Sequence, residues 1–573
     1  MAEQLRIVSE RVDDVPLLIA HMVRMGLPEH VDACFPAHGN WQGLSPGWVV
    51  TCWLAYILSE GDHRLSHAQA WAEGRLETLG ICTGQDVRSL DFSDDRLALL
   101  LRMMSDDERW ATFEERLNRH LLRVYTLPSA RVRIDTTTGS GYWRVTEDGL
   151  FMFGHSKDHR PDLPQVKVVL STLDPLGLPV ATEVVPGNRA DDPLYTPAIE
   201  RVRQGLNKRG VLYVGDAKMG AKGTRGFIQA GGDYYLCPLS ATQLPEEERR
   251  GYLEPVWRGE QALVEVYRET ADGERKQIAY GYERQVEMAV EVEGEQVAWT
   301  ERRLVVRSLR QVEAAETRLR KRIEEAKTAV EALNERKRGK KRYDEVVDLR
   351  EAAQALVKKH GVEGLLRLEF EERVRRRQVR RYRDRLARVV EERECRVSVT
   401  IDEEAVEEAL QQKGWRVYAT NAPAEQLPLP QAILAYRDQY IIERGYGRLK
   451  GRPLSLTPMY LERDDHATGL IRLLSIGLRV LTLLEFVVRR RLAQEGTRLT
   501  GLYAGNPKRA TARPTAERLL EAFKGLTLTL IREPHRHLRH LTPLSDLQQQ
   551  ILSLLDLAPD TYTRLCANSL KPP

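Results

Sequence analysis

Two aspartates each follow a short apolar stretch, and a glutamate lies much further along the chain. Asp135 ends Arg131–Asp135 (RVRID), where apolar residues alternate with arginines as in a short β-strand. Asp216 ends Gly210–Asp216 (GVLYVGD), whose continuous apolar run is typical of a strand buried on both faces. With Glu443, these acids could share two Mg²⁺ ions about 4 Å apart, which need oxygen ligands from separate rigid elements. The three residues therefore predict a site for two-metal phosphoryl transfer.

The surroundings of the acids predict how each one is held. The run TTTG, residues 136–139, indicates a turn directly after Asp135. Glu443 lies in YRDQYIIERGYGRLK, residues 436–450, which we expect to form one helix. Tyr436, Gln439, Glu443 and Lys450 are separated by steps of three, four and seven, so they would share a face of that helix. Lys450 and Tyr436 would then lie near the phosphates beside the cleaved bond. The alternative is an ordinary amphipathic helix with one face on the core.

These motifs resemble those of the DDE transposases of bacterial insertion sequences, in the superfamily whose third acid carries a Tyr-x2-Arg-x3-Glu-x6-Lys signature. Tyr436, Glu443 and Lys450 match this signature, and Gln439 stands in the place of its Arg. Three further segments are similar to the family: His155–Leu170 (HSKDHRPDLPQVKVVL), Gly177–Asp192 (GLPVATEVVPGNRADD) and Val211–Met219 (VLYVGDAKM). The motifs occur in the family's order, and the resemblance extends from about Val12 to about Leu557.

The resemblance implies a cut-and-paste DNA transposase with Asp135, Asp216 and Glu443 as its catalytic and metal-binding residues. Two Mg²⁺ ions, replaceable by Mn²⁺, would activate water and then a 3′-hydroxyl. The implied partners are double-stranded DNA, as terminal inverted repeats and target, and a second copy of the chain in a homodimer on DNA. The expected location is the bacterial cytoplasm, at the nucleoid when acting. There are two alternatives: a structure-selective nuclease, and a domesticated or inactive DNA-binding protein. The second alternative remains because Gln439 replaces the Arg of the family signature.

Several polar residues around these acids are candidates for contact with DNA. An uncharged Gln439 would hold DNA ends less tightly than the Arg of the family signature. The candidates are Tyr436, Gln439, Lys450, Arg437, Arg444, Lys157 and Arg160.

Other acids in the family-like segments are rivals for the metal. Asp158 and Asp162 are the main rivals, although we favour a local salt bridge or turn between Asp158 and Arg160. Asp191 and Asp192 are also rivals, although helix capping is the favoured role for them.

Composition limits the remaining possibilities. A chain of 573 residues with 42% apolar residues is expected to form two to four domains with sizeable cores. The net charge of +4 means that any nucleic-acid surface must come from local clustering of Lys and Arg. Six scattered cysteines suggest neither a disulfide framework nor a zinc site, which fits a reducing cytoplasm. The N-terminus has no apolar signal core, and residues 470–488 are interrupted by charges, so we expect no membrane association.

The pattern of elements predicts a ribonuclease H-like α/β catalytic core with an α-helical N-terminal domain, an α+β insertion and a helical C-terminal tail. Residues 131–239 read β, β, β, α, β, α, β, with acids at neighbouring strand ends. The expected divisions are 1–126, a helical domain that either binds DNA ends or only packs on the core; 127–241, the first part of the core; 242–409, the insertion; 410–495, the second part with the Glu443 helix; and 496–573, the tail.

The insertion and the tail carry the remaining charged clusters. Residues 261–309 alternate as in an antiparallel β section, and residues 311–393 are predicted to form a charged helical hairpin or a short coiled coil. Two basic clusters, Arg336–Arg342 and Arg373–Arg381, would contact the DNA backbone or else form the solvated surface of that hairpin. A group of histidines in the tail, at positions 535, 537 and 540, is more typical of structural or phosphate contact than of metal binding.

Overall fold

The computed structural model describes residues 6–37, 39–270, 273–335, 341–379, 388–532 and 537–566. The strands are β1 Arg6–Arg11, β2 Arg131–Ser140, β3 Gln165–Leu173, β4 Leu178–Pro186, β5 Leu212–Val214, β6 Tyr234–Pro238, β7 Val264–Glu269, β8 Arg275–Val292, β9 Glu295–Ser308, β10 Leu366–Val379, β11 Arg388–Ile401, β12 Trp415–Thr420, β13 Thr527–Arg532 and β14 His537–Leu541. The helices are α1 Val15–Arg24, α2 Leu27–Cys34, α3 Pro46–Glu60, α4 Leu65–Glu73, α5 Leu76–Thr83, α6 Asp94–Met104, α7 Asp107–Tyr125, α8 Tyr195–Leu206, α9 Lys222–Ala230, α10 Glu246–Trp257, α11 Leu309–Glu331, α12 Val346–His360, α13 Glu403–Gln411, α14 Leu429–Arg437, α15 Tyr440–Lys450, α16 Asp464–Glu495, α17 Ala516–Glu521, α18 Asp546–Leu554 and α19 Asp560–Thr563.

A mixed sheet of nine strands forms the centre of the protein, in the order β4-β3-β2-β5-β6-β12-β9-β8-β7. Strand β2 pairs antiparallel with β3 and parallel with β5, and β5 pairs parallel with β6. Helices α8 and α9 connect β4 to β5 and β5 to β6, so the β, β, β, α, β, α, β order expected for residues 131–239 is confirmed. Strand β3 is buried along its whole length, as a central strand covered on both faces must be.

The turn expected after Asp135 is wrong, because β2 continues through the threonine run to Ser140. The pairing with β3 is unbroken from Asp135 opposite Leu170 to Ser140 opposite Gln165. β-branched threonines favour extended backbone, and a neighbouring strand supplies the hydrogen-bond partners that a turn would otherwise need. Asp135 therefore lies inside a strand rather than at its tip.

The N-terminal helices and the C-terminal part of the chain share one core around α16. This helix is buried along most of its length, and its Arg472 donates to the carbonyl of Met104 at the end of α6. Strands β1, β13 and β14 form a three-stranded sheet in which Arg6 lies opposite Arg532. The wholly helical tail predicted for 496–573 is therefore wrong, because an alternating segment there finds a strand partner more than 500 residues away.

The region 261–401 is partly as expected. Strands β7, β8 and β9 form the predicted antiparallel section and join the nine-stranded sheet through β12. Helix α11 buries Leu319, Ile323, Ala326 and Val330, which confirms the helical spacing seen there. The helix predicted to reach 393 is wrong beyond His360, because β10 and β11 form a long antiparallel hairpin.

The β10–β11 hairpin forms because the spacing of apolar residues changes from the helical period to the alternation of a strand. Leu366, Leu368 and Phe370 alternate with charged residues and pack on α11 and α12, so a strand buries them where a helix would not. Of the two basic clusters, residues 336–340 and 380–381 lie outside the described residues, and 373–379 belong to β10.

Two further observations concern the cysteines and the question of membrane-spanning helices. All six cysteines are free thiols. None of the helices in the described ranges has the length and apolar content that crossing a bilayer requires.

Candidate active site

Asp135 and Asp216 lie side by side because their strands are parallel neighbours in register. Arg133 of β2 lies opposite Val214 of β5, and each aspartate follows that level by two residues. Asp216 thus lies just past the end of β5, beside the part of β2 that extends beyond it. The charge of Asp216 raises the pKa of Asp135, which places the two carboxylates within electrostatic reach of each other.

The carboxylate of Asp135 is held in a partly desolvated and acidic environment. Its side chain is 17% exposed. Burial raises the pKa of Asp135 to about 6; Lys157 and the N–H of Thr136 oppose this shift, and Asp216 and Asp191 add to it. The Thr136 N–H donates to Asp135 Oδ1 at 2.8 Å. A carboxylate crowded by two others is stabilised by a bound cation, so the donor chemistry fits a hard divalent ion.

Two buried tyrosines donate hydrogen bonds to the two aspartate residues. The Tyr195 hydroxyl on α8 donates to Asp216 Oδ1 at 2.7 Å, and the Lys218 N–H donates to the same oxygen at 2.8 Å. The Tyr446 hydroxyl on α15 donates to the backbone carbonyl of Asp135. Burial, with the nearby carboxylates, raises the pKa of both tyrosines well above the usual value, so both remain protonated donors.

Asp191 belongs to the same cluster, and the capping role expected for it is wrong. Its side chain makes no cap hydrogen bond; instead Lys167 Nζ donates to Asp191 Oδ1 at 2.6 Å. Lys157 Nζ lies 3.7 Å from both Asp191 Oδ2 and Asp135 Oδ1 and donates to the Thr136 carbonyl at 2.7 Å. Burial alone would raise the pKa of Asp191, but the two lysines hold it below its ordinary value.

The single helix predicted for 436–450 is wrong. Helix α14 ends at Arg437 and α15 begins at Tyr440, so Tyr436 belongs to a different helix from Glu443. Gln439 is the N-cap residue of α15 and keeps helical spacing to Glu443, whose N–H donates to the Gln439 carbonyl at 3.3 Å. Arg133 stabilises the break, because its guanidinium donates to the carbonyls of Ala435 at 2.5 Å and Tyr436 at 3.5 Å, at the end of α14.

Glu443 lies on the face of α15 that approaches β2. Tyr446, three residues further on, contacts Asp135, and Lys450 Nζ pairs with Asp158 Oδ1 at 2.7 Å. The Glu443 side chain is exposed and makes no hydrogen bond or ion pair with any described residue. The structure therefore brings Asp135 and Asp216 together and leaves the carboxylate of Glu443 in solvent.

The described part of the chain contains no group of three or more His, Cys, Asp or Glu side chains close enough to hold a metal ion. Asp135 and Asp216 are nevertheless rigid carboxylate donors on adjacent strands. A third donor would have to be added to this pair to complete a metal site.

The other DNA-contact candidates have partners within the protein. Arg160 pairs with Asp162 at 2.8 Å, so the expected Asp158–Arg160 salt bridge is wrong, whereas the alternative of a turn is confirmed at residues 157–158. Arg437 donates to Ser308 Oγ at 2.8 Å, and Arg444 pairs with Glu485.

Two other candidates also differ from the sequence interpretation. The ring of Tyr436 packs against that of Tyr418, with centroids 4.8 Å apart. The carboxylate of Asp192 accepts no helix-cap hydrogen bond from any described residue and lies 3.6 Å from Lys218 Nζ.

Sequence reasoning did not find Tyr195, Tyr446 or Lys167. Tyr446 could have been found, because it lies three residues after Glu443 and so on the same side of a helix. Tyr195 and Lys167 gave no local signal, since their contacts depend on the packing of α8 and β3 beside β2.

Comparisons with known proteins identify a family and a similar solved structure. The family described as the transposase DDE domain matches residues 134–479. Among solved structures, one similar chain is in the cryo-EM structure of a piggyBac transposase synaptic complex with hairpin DNA, with a TM-score of 0.22 and 10% identity. That similarity covers 51% of this chain and 62% of the other, so less than two thirds of its length is spanned. A comparison with curated proteins gave no match.

Proposed function

We propose, because this chain belongs to the family of transposases with a DDE domain, that it is a cut-and-paste DNA transposase. It would cleave DNA at the terminal inverted repeats of its element and join the 3′-hydroxyl ends to target DNA. Asp135, Asp216 and Glu443 would be its catalytic acids. The observation that carries the proposal is the in-register placement of Asp135 and Asp216 on neighbouring parallel strands, with the pKa of Asp135 raised.

The sheet supports a ribonuclease H-like catalytic core. Its first five strands have the order β4-β3-β2-β5-β6, with β4, β3 and β2 antiparallel and β2, β5 and β6 parallel. This arrangement puts the two aspartates at adjacent strands near the centre of the sheet. We infer that the core is formed by residues 127–241 and 410–495, with 242–409 as an insertion between its second and third acids.

Asp135 and Asp216 would hold divalent ions, with Glu443 as the third ligand. Bound Mg²⁺ or Mn²⁺ supplies charge stabilisation at phosphorus and lowers the pKa of an attacking hydroxyl. Tyr195 fixes the orientation of Asp216, and Tyr446 holds α15 against β2. Lys157 balances the negative charge of Asp135 and Asp191, and it would contact a phosphate of DNA bound there.

The partners follow from the proposed reaction. They are double-stranded DNA, as inverted repeats and as target, and a second copy of the chain in a homodimer that holds two DNA ends. The reaction would take place in the bacterial cytoplasm, at the nucleoid. The helical region 1–126 is a candidate for recognition of the DNA ends.

The test is Mg²⁺-dependent cleavage and strand transfer on DNA that carries the element's own ends. Wild type is compared with Asp216→Asn, and Asp546→Asn is the matched control because its exposed carboxylate makes no hydrogen bond or ion pair with any described residue. We expect Asp216→Asn to lose cleavage by about 10³-fold or more while DNA binding persists, and the control to behave as wild type.

Other results would redirect the assignment. Equal cleavage by wild type and Asp216→Asn would overturn the role of Asp216 and point to Asp191. Cleavage without strand transfer would indicate a nuclease. Tight end binding without cleavage by wild type would indicate a DNA-binding protein that has lost its activity.

A further inference from the structure

A basic groove lies between α11, strands β7 and β8, and the end of α14. It encloses a volume of about 800 Å³. Its lining includes Glu313 and five cationic side chains: Arg268, Lys276, Arg310, Arg318 and Arg437. A second hollow of about 590 Å³ continues along α11 from the shared Arg318, and its charged lining residues are Arg318, Lys321, Arg322, Glu325 and Lys413. We call the two together the α11 groove; eight cations and two carboxylates line it.

Much of the positive charge in the α11 groove is not neutralised by the protein. The exposed side chains of Lys276 and Arg310 make no hydrogen bond or ion pair with any described residue. Arg318 Nε donates to the Ala314 carbonyl of its own helix at 3.0 Å, and its charge is paired with no acid among the described residues. Burial lowers the pKa of Arg437, and the charges of Arg268 and Arg310 lower it further. The groove therefore gathers like charges that an anionic partner would stabilise.

The length of the α11 groove fits a polyanion rather than a single small anion. From Arg310 to Arg322 the helix rises about 18 Å, at 1.5 Å per residue. Double-stranded DNA carries a negative charge about every 1.7 Å along its axis, so this length corresponds to about five base pairs. The first turn of α11 lines the same groove, and its partial positive charge adds to the attraction.

The α11 groove also connects to the acidic site through the end of α14. Arg437 lines the groove, and the carbonyl of its neighbour Tyr436 accepts a hydrogen bond from Arg133. Arg133 lies two residues before Asp135 on β2, and residues two apart in a strand point to the same face of the sheet. Burial raises the pKa of Tyr436 and the charge of Asp216 adds to this shift, so the α14 end of the groove lies near the two aspartates.

We propose that the α11 groove binds the phosphodiester backbone of double-stranded DNA, next to the phosphate that reacts at Asp135 and Asp216. The contact is sequence-independent, because exposed lysine and arginine side chains that meet phosphates fix position rather than read bases. This inference rests on the proposed function for the identity of the ligand, but the binding itself requires neither metal nor cleavage.

The test is duplex binding by the full-length protein in chelator, measured by fluorescence anisotropy over a series of salt concentrations. The variant combines Lys276→Gln, Arg310→Gln and Arg318→Gln, and the control combines Arg250→Gln, Arg463→Gln and Arg491→Gln. The three control arginines are 49–70% exposed, and each pairs with a nearby carboxylate. Both triple variants remove the same charge from exposed positions, and unchanged thermal unfolding confirms that each one folds.

The groove variant should bind any duplex at least tenfold more weakly at about 0.1 M salt, and its slope of log affinity against log salt should be shallower by about 3. The control should bind within about twofold of wild type. An unchanged slope in the groove variant, or an equal loss in the control, overturns the proposal. Stronger binding of duplex RNA than of duplex DNA would also overturn it.

The result is separable from the proposed function. If wild type fails to cleave but the groove variant shows the shallower salt slope, the groove proposal is supported and the transposase proposal is refuted. If wild type cleaves normally but the groove variant binds like wild type, the transposase proposal is supported and the groove proposal is refuted.

Discussion

Asp135→Asn should stabilise the metal-free protein while abolishing its activity. The carboxylate is 17% exposed and lies close to Asp216 and Asp191. A negative charge at this position lowers the free energy of unfolding. The charge is needed for the proposed metal binding and contributes nothing to stability. Asparagine retains the shape and can still accept the Thr136 N–H through its amide oxygen, so the substitution removes mainly the charge.

The size of the effect follows from the pKa of Asp135, which burial raises from 3.8 to about 6. Between these values the folded state holds the proton and the unfolded chain does not. Stability from this group is therefore greatest at low pH, falls as pH rises from 3.8 to 6, and stays reduced above 6. A shift of about two pH units corresponds to about 3 kcal/mol. We expect Asp135→Asn to be more stable than wild type by about that amount at pH 8, and by about half of it at pH 5.

The assay is urea denaturation followed by tryptophan fluorescence, in chelator, at both pH values. Asp162→Asn is the control, since its exposed carboxylate pairs with Arg160 and its removal offers no such gain. Added Mg²⁺ should raise the stability of wild type more than that of the variant and so narrow the difference. A variant no more stable than wild type at pH 8, or a difference that is equal at pH 5 and pH 8, would refute the reasoning.

Three further changes test neighbouring parts of the structure. Tyr195→Phe removes the donor to Asp216 and should raise the Mg²⁺ requirement for cleavage by about 10- to 100-fold; an unchanged Mg²⁺ titration would contradict this. Glu114→Gln breaks the buried pair with Arg479 and should cost about 3–5 kcal/mol in urea denaturation, where a loss below about 1 kcal/mol would show the pair to be dispensable. Gln439→Arg should tighten binding to DNA ends and steepen its salt dependence by about one unit of slope, and identical slopes would remove Gln439 from the DNA surface.

The parts of the fold that local pattern decides were predictable from the sequence. The strands around Asp135 and Asp216 and the buried face of α11 follow from periodicity within ten to twenty residues. The parts that depend on distant partners were not. Strand β1 forms because it pairs with β13. The threonines after Asp135 remain extended because they pair with β3.

The same distinction applies to the candidate site. The helical spacing from Tyr436 to Lys450 is continuous in the sequence, yet the helix is interrupted where Arg133 donates hydrogen bonds to the carbonyls at the end of α14. Asp191 was named as a rival acid, but its two lysine partners come from segments more than twenty residues away in the chain. The spacing of residues in the sequence therefore identifies candidate acids but does not predict which lysine or arginine side chains pair with them.

The three proposed ligands differ in how firmly the protein holds them, and that difference orders the assembly of the site. Asp216 accepts two hydrogen bonds, Asp135 accepts one and faces Lys157, and the exposed Glu443 has no partner among the described residues. Fixing a free glutamate side chain costs up to about 2 kcal/mol of rotamer entropy, which the fixed aspartates largely avoid. Under the proposed assignment the two aspartates are already held in place for a divalent ion, and Glu443 would be the ligand that has to be ordered when the site assembles.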